Sequence, residues 1–256
     1  MSLSSESVKK FVFNEHLSWT LTTNGYKFYT LNLYKWLTER AKVPWKLMIV
    51  CGDRESLTFF RRERIPCISV ESVKESRQTY ISGFGTDSFK VWNRMKLDLL
   101  GWIVKSANEL VVKKSMYIDG DIVVQRDPWD ALPNITDVLF QCDCSKADDL
   151  HTQSKCNAPC SGFIVHNHTV DLSNLYKFDK IIWKDSLEQD QPYIQTRLKL
   201  FNIPFNTVDR TLYGNGAIQK DGLWKNVEWV LLHYNYRVGD TKKQAMKADK
   251  HWLIPY

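Results

Sequence analysis

The chain lacks any apolar run approaching the roughly 18 residues that a membrane-spanning helix needs. Its first ten residues, Met1 to Lys10, are rich in serine and charge and carry no apolar signal core. The expectation is a soluble, cytoplasmic protein with no transmembrane segment. Charge of one sign is also in short supply: 35 Lys+Arg against 29 Asp+Glu leave +6 over 256 residues. The basic residues are dispersed, which excludes a surface that tracks phosphates and argues for no nucleic acid as partner. No repeat, low-complexity tract or Pro/Gly linker divides the sequence. There is no nucleophile elbow of a Ser/His/Asp hydrolase and no zinc-protease helix motif.

What is present is apolar and aromatic. Hydrophobic residues make up 43% of the chain, with 12 Phe, 11 Tyr and 10 Trp, enough for a sizeable core and against disorder. Leu17 to Thr23 reads as a strand, Asn24-Gly25 as a turn, and Tyr26 to Arg40 as a helix with Phe28, Leu31, Tyr34 and Leu37 at helical spacing. Lys46 to Cys51 is an almost continuously apolar run of the kind found in a parallel strand buried on both faces. Two strands with one helix between them form a βαβ unit, whose ligands gather beyond the carboxyl ends of the strands. Ser88 to Lys105 carries Phe89, Trp92, Met95, Leu99 and Ile103 on one helical face. Ser115 to Gln125 reads as two apolar half-strands interrupted by Asp119-Gly120-Asp121. Val138 to Cys142, Gly162 to His166 and Glu228 to His233 are further strands, and Asp185 to Phe201 is helical. The expectation is a single α/β domain, residues 1–256, with a mostly parallel central sheet flanked by helices.

Six cysteines, Cys51, Cys67, Cys142, Cys144, Cys156 and Cys160, could form a disulfide set, but the missing signal core favours reduced thiols. Four lie between residues 142 and 160, a spacing that raises zinc. Strand side chains two apart share a face yet reach one metal poorly, so small buried thiols are the expectation.

Asp119 and Asp121 interrupt an otherwise apolar stretch, where an ionised carboxylate costs several kcal/mol unless something compensates it. A divalent cation compensates it well: two carboxylates separated by a glycine suit a hard ion bridged to a diphosphate. The alternative is a tight hairpin in which Asp-Gly is turn chemistry alone. Around this triplet stand Lys96, Tyr117 to Val124, Asp127-Pro128, Asp137 to Asp143, Ser161-Gly162-Phe163, Asp190-Gln191, and His233-x-Asn235 followed by Gly239 and Lys242. In that order and spacing the sequence resembles the GT-A nucleotide-diphospho-sugar transferases, especially the group containing glycosyltransferase family 77, and more distantly family 8.

The resemblance implies a single GT-A, Rossmann-like domain with a nucleotide-binding half (1–125) and an acceptor and sugar half (126–256). It implies a metal site of Asp119, Asp121 and His233; an imidazole in the set tilts selection towards Mn2+ over Mg2+. Lys242, or its neighbour Lys243, would neutralise the diphosphate, with Gly239 nearby and Lys96 close to the donor phosphates. Thr22, Thr23, Asn24 and Tyr26 at one strand end and Asp53 at the next would bind the nucleotide, Tyr26 by stacking and Asp53 by accepting from a base N–H. Asp190 and Gln191 would stand beside the donor sugar, Asp190 on the face opposite the leaving group of a retaining transfer. An N-capping Asp190 is the plain structural alternative. Asp143 is the competing carboxylate, a base on the acceptor hydroxyl that would give inversion.

The implied activity is transfer of a sugar from a nucleotide-diphosphate donor, a UDP-sugar in the first instance, to an acceptor hydroxyl on a glycan or another molecule. A sugar-1-phosphate nucleotidyltransferase is the alternative enzyme, but it opens with a Gly-rich loop carrying Arg and Lys, and residues 17–30 hold one glycine and no arginine. A non-catalytic nucleotide-sugar or carbohydrate-binding protein is the third possibility.

Overall fold

A computed structural model describes residues 2–70, 86–134, 136–144 and 158–256. In chain order the elements begin with α1 (Ser5–Lys9), β1 (His16–Thr22), α2 (Lys27–Lys35, prolonged by a π turn over Trp36–Arg40), β2 (Met48–Cys51), α3 (Arg54–Arg62) and β3 (Cys67–Ser69). Then come α4 (Asp87–Leu110), β4 (Lys114–Ile118), β5 (Ile122–Val124), α5 (Pro128–Ala131), β6 (Val138–Cys142) and β7 (Pro159–Asn167). The chain closes with α6 (Lys180–Asp185), α7 (Asp190–Leu200), β8 (Phe205–Thr207), β9 (Tyr213–Gly214), α8 (Gly216–Lys220), β10 (Leu231–His233) and α9 (Gly239–Ala248).

Seven strands form the main sheet in the order β3-β2-β1-β4-β7-β6-β8. Pairing is parallel from β3 through β4 and between β6 and β8; β7 runs antiparallel to both its neighbours. The expected α/β class with a mostly parallel sheet is what the molecule has. β1 sits where the order reverses, with β2 and β3 on one side and β4 on the other, and at such a point the diverging connections leave a crevice beyond the carboxyl ends.

The central strands are buried on both faces, so alternate residues feed two cores. On β2, Met48 and Val50 enter the core beneath α4 and α7, while Ile49 and Cys51 enter the one beneath α2 and α3. A third, smaller core of Trp36, Val123, Ile218, Trp229, Leu232, Tyr234 and Met246 lies under a second sheet, ordered β5-β10-β9.

Several sequence expectations change. The half-strands around Asp119 are not one strand and not a hairpin: β4 belongs to the main sheet and β5 to the small one, so the acidic triplet is the crossing between them. The helix expected over residues 185–201 is broken, because Leu187 and Glu188 take φ of 54° and 57° and end α6 before α7 begins. Cys142 is disulfide-bonded, contrary to the expected free thiols, whereas Cys51, Cys67 and Cys160 are free; Cys156 lies outside the described residues. A four-thiolate zinc site is thereby excluded. Among the described residues no helix is long and apolar enough to cross a membrane.

Candidate active site

Sheet register brings the metal-ligating candidates together. β10 pairs antiparallel with β5, Leu231 opposite Val124, Leu232 opposite Val123 and His233 opposite Ile122. His233 therefore arrives beside the residue that follows Asp121. Ligand atoms of Asp119, Asp121 and His233 all lie within 4.8 Å of one another, with His233 Nε2 3.3 Å from Asp121 Oδ1 and 3.9 Å from Asp119 Oδ2. Two carboxylates and an imidazole nitrogen converging from buried or half-buried positions fit a divalent cation with oxygen ligands still to be supplied.

The turn needs Gly120, and the β7 strand facing it needs Gly162. A Cβ on Gly120 would stand 2.7 Å from Thr30 Oγ1, and one on Gly162 would stand 2.1 Å from His233 Cε1. Gly162 also accepts a hydrogen bond from Asp119 N–H at 2.8 Å through its carbonyl. That close approach is made possible by an irregularity in β7: Phe140 pairs with Ile164, then Gln141 with Cys160, so Ser161, Gly162 and Phe163 have no counterpart on β6.

Lysines compensate the acidic pair on two sides. Lys242 is the member of the C-terminal lysine run that turns inward; its Nζ contacts Asp121 and donates to Tyr26 Oη at 2.8 Å. Lys96, 2% exposed although lysines are seldom so buried, bridges Asp190 Oδ2 at 2.9 Å and Asp119 Oδ1 at 3.4 Å. Burial disfavours the charge of both lysines, yet the facing carboxylates outweigh it and raise both pKa values. The two aspartates are driven apart. Burial raises the Asp119 carboxyl above its ordinary value against the pull of Lys96. At Asp121 burial acts the same way, but Lys242 and His233 overcome it and hold the carboxyl low.

Asp190 is the first residue of α7; Gln189 occupies the cap position without a side-chain cap bond. The carboxylate of Asp190 is therefore not spent on capping and is paired with Lys96. Gln191 donates to Asp143 Oδ2 at 2.8 Å and accepts from Ser161 N–H at 3.1 Å, while Asn235 donates to Asp143 Oδ1 at 2.9 Å. Sequence reading singled out Asp143 as a base; here it is the centre of an amide cradle.

At the nucleotide end, Asp53 caps α3 by accepting from Ser56 N–H at 2.8 Å and also accepts from Asn24 N–H at 2.7 Å, so it ties the ends of β1 and β2 together. Thr22 Oγ1 accepts from Thr30 at 3.0 Å, and Asn24 Oδ1 accepts from Lys27 Nζ at 2.6 Å. Thr23 Oγ1 is buried with no hydrogen-bond partner among the described residues. The Tyr26 ring lies 5.0 Å from Tyr29 and 6.1 Å from Trp92. Gly239 opens α9 with φ 54° and accepts from Tyr29 Oη at 3.1 Å. The residue that sequence reasoning gave no role is Gln141, fully buried behind His233. An uncharged polar side chain inside a wholly buried strand was its signal.

The model of the nucleotide-diphospho-sugar transferase family matches residues 45–246. Among solved structures, the galactosyltransferase LgtC, in complex with donor and acceptor sugar analogs, superposes with a TM-score of 0.57 at 11% identity over 92% of this chain and 94% of its own. The bifunctional glycosyltransferase WbbM gives 0.53 at 10% identity over 95% of this chain and 51% of its own. The glycosyltransferase GlyE of Streptococcus pneumoniae gives 0.51 at 12% identity over 93% and 60%. At these identities the likeness is one of fold. A search of curated protein sequences gives no match.

Proposed function

The chain belongs to the nucleotide-diphospho-sugar transferase family and is a glycosyltransferase, and from that premise we propose that it moves a sugar from a UDP-sugar to an acceptor hydroxyl with retention at the anomeric carbon. The observation that carries the reading is the convergence of Asp119, Asp121 and His233 within 4.8 Å from two different sheets. These three residues would hold Mn2+, or Mg2+ in its place, and the ion would supply positive charge against the diphosphate as the bond to the sugar breaks.

This chain's own residues do the rest. Lys242 stands beside Asp121 with its ammonium 5.4 Å from the centre of the Tyr26 ring and 5.8 Å from that of Tyr29, placed to add its charge to the departing nucleotide. Thr22, Thr23, Asn24, Tyr26 and Asp53 form the strand-end floor for the nucleoside, and Gly239 leaves the start of α9 open on the phosphate side. Asp190, held by Lys96, faces the sugar and stabilises positive charge developing at its anomeric carbon. Gln191, fixed by Ser161 and Asp143, orients sugar hydroxyls. The first half of the chain, 1–125, would thus hold the nucleoside and the second, 126–256, the sugar and acceptor, with His233, Gly239 and Lys242 of the second half reaching back to the metal and diphosphate.

The test is thermal unfolding with UDP, GDP and their sugars, each with and without Mn2+. A ligand at a hundred times its Kd stabilises the native state by about 2.7 kcal/mol. UDP with Mn2+ should raise Tm, UDP alone much less, and Asp121→Ala should abolish the Mn2+-dependent part and UDP-sugar turnover while remaining folded. An unchanged Mn2+ response in Asp121→Ala removes the metal assignment.

A further inference from the structure

His233 can serve a cation only if Nε2, the nitrogen facing the two aspartates, presents a lone pair. A neutral imidazole carries its proton on either nitrogen, and the partner of the other nitrogen decides which. Nδ1 of His233 lies 2.8 Å from Gln141 Oε1. Gln141 in turn places its Nε2 at 2.8 Å from the carbonyl oxygen of Gly214 and 3.2 Å from that of Tyr213.

Backbone carbonyls only accept, so the amide nitrogen must face them, and both its hydrogens are used there. A flipped amide would set Oε1 against two carbonyl oxygens, where no hydrogen bond can form, and leave that buried oxygen without a donor there. The amide oxygen is thereby committed to His233, and an oxygen can be met only by an N–H. We propose that Gln141 is a positioning residue that fixes the proton of His233 on Nδ1 and leaves Nε2 free for the cation, the orientation being set by the carbonyls of Tyr213 and Gly214. This inference rests on the metal reading of the site and adds to it a part that lies outside the three ligands.

The placement of Gln141 explains how it reaches so far. It stands on β6 of the main sheet, two residues from Leu139 and so on the same face, which is packed against the small sheet. Its partners Tyr213 and Gly214 constitute β9, which pairs in parallel with β10, Leu231 opposite Tyr213 and Leu232 opposite Gly214. The side chain is 0% exposed and His233 is 2% exposed, so water cannot replace the amide. One glutamine therefore ties the strand carrying the imidazole to the sheet carrying the nucleotide site. A histidine ligand commonly donates its second N–H to a protein acceptor, and loss of that acceptor typically lowers metal affinity about 10–100-fold.

The experiment uses the whole chain free of metal and donor. 15N spectra of histidine-labelled protein at about pH 9, where an ordinary imidazole is neutral, should show Nδ1 of His233 protonated and slow to exchange. In Gln141→Leu, which keeps the volume but removes oxygen and nitrogen together, that protection should disappear. Titration with Mn2+ alone, followed by electron paramagnetic resonance, should give a Kd raised about 10–100-fold. Gln141→Glu serves where the leucine variant fails to fold: it keeps an oxygen for His233 but offers no donor to the two carbonyls, so it should retain the Nδ1 proton and bind Mn2+ more tightly than the leucine variant. A bare Nδ1 in the native protein, or a folded Gln141→Leu with Kd within twofold of native, overturns the proposal. Failure of native protein to bind Mn2+ would instead overturn the metal reading, and the Nδ1 proton would still decide the role of Gln141.

Discussion

A methyl group on Gly162 would sit 2.1 Å from His233 Cε1 and 2.8 Å from Asp119 Oδ2. Neither neighbour can yield cheaply: the imidazole is held by Gln141, and Asp119 by Lys96 and the Tyr117 hydroxyl. Gly162→Ala should therefore cost about 1–3 kcal/mol by overpacking and displace one or both ligands. The expected outcome is a lowered Tm together with loss of Mn2+-dependent stabilisation by UDP. A variant with native Tm and native Mn2+ response would show that the imidazole swings aside freely, and the close fit described for the site would be wrong. Residue identity alone could suggest a glycine near an acidic pair; only the approach of β10 explains why that position tolerates nothing larger.

Elements set the direction in which side chains point, and the turn between α6 and α7 does this for Asp190. Leu187 and Glu188 both adopt left-handed backbone, φ 54° and 57°, and their N–H groups close back onto Lys184 and Trp183. Left-handed backbone costs a non-glycine residue about 1–2 kcal/mol. The strained turn is clamped by Lys90 of α4, 2.9 Å from Glu188, and α7 then starts with Asp190 against Lys96 of the same helix. Leu187 is 73% exposed, so its side chain has little packing to lose. Leu187→Gly relieves the strain against about 0.5–1 kcal/mol of added freedom in the unfolded chain, and urea unfolding should show a net gain of roughly 0.5–1 kcal/mol. A loss of more than about 1 kcal/mol would show that the leucine packs in solution. A sequence pattern of apolar residues reads straight through this turn, because periodicity carries no sign of two consecutive left-handed residues.

At the scale of the whole molecule, buried imidazoles link stability to pH. Burial lowers the pKa of His168 and of His251 to about 4, and that of His166 also falls well below the ordinary value of 6.5. The unfolded chain takes up these protons near pH 6.5, whereas the native protein resists until lower pH, so stability is full above about 6.5 and is lost as pH falls towards 4. His168 and His251 should each account for roughly 2 kcal/mol of that loss at pH 5. Asp121, held low by Lys242 and His233, adds a loss of the same sign only under more acid conditions. Urea midpoints of the metal-free protein at pH 7 and pH 5 check this; His168→Gln and His251→Gln should each flatten the difference, and equal stability at the two pH values would contradict the burial of these rings. His251 sits among Trp36, Trp224 and Trp229 with Tyr234 at its Nδ1, so the same titration reports on the clasp that fastens the C-terminal segment to α2.

Class of fold, the acidic pair and the histidine far downstream are already legible in the amino-acid sequence. Each is a local property: apolar runs of strand length alternating with helical stripes, two carboxylates where an apolar strand should continue, an imidazole at the end of an apolar run. What those residues meet follows from how the chain packs. The register of β10 on β5 placed His233 beside Asp121; the burial of α9 chose Lys242 from its run; α4 and α7 together spent Asp190 on Lys96 rather than on a helix cap; and the gap between two sheets gave Gln141 its partners. None of this is written in spacing, because contacts between distant segments follow from how whole faces pack, and a packing energy belongs to the pair of faces and to neither stretch of chain alone.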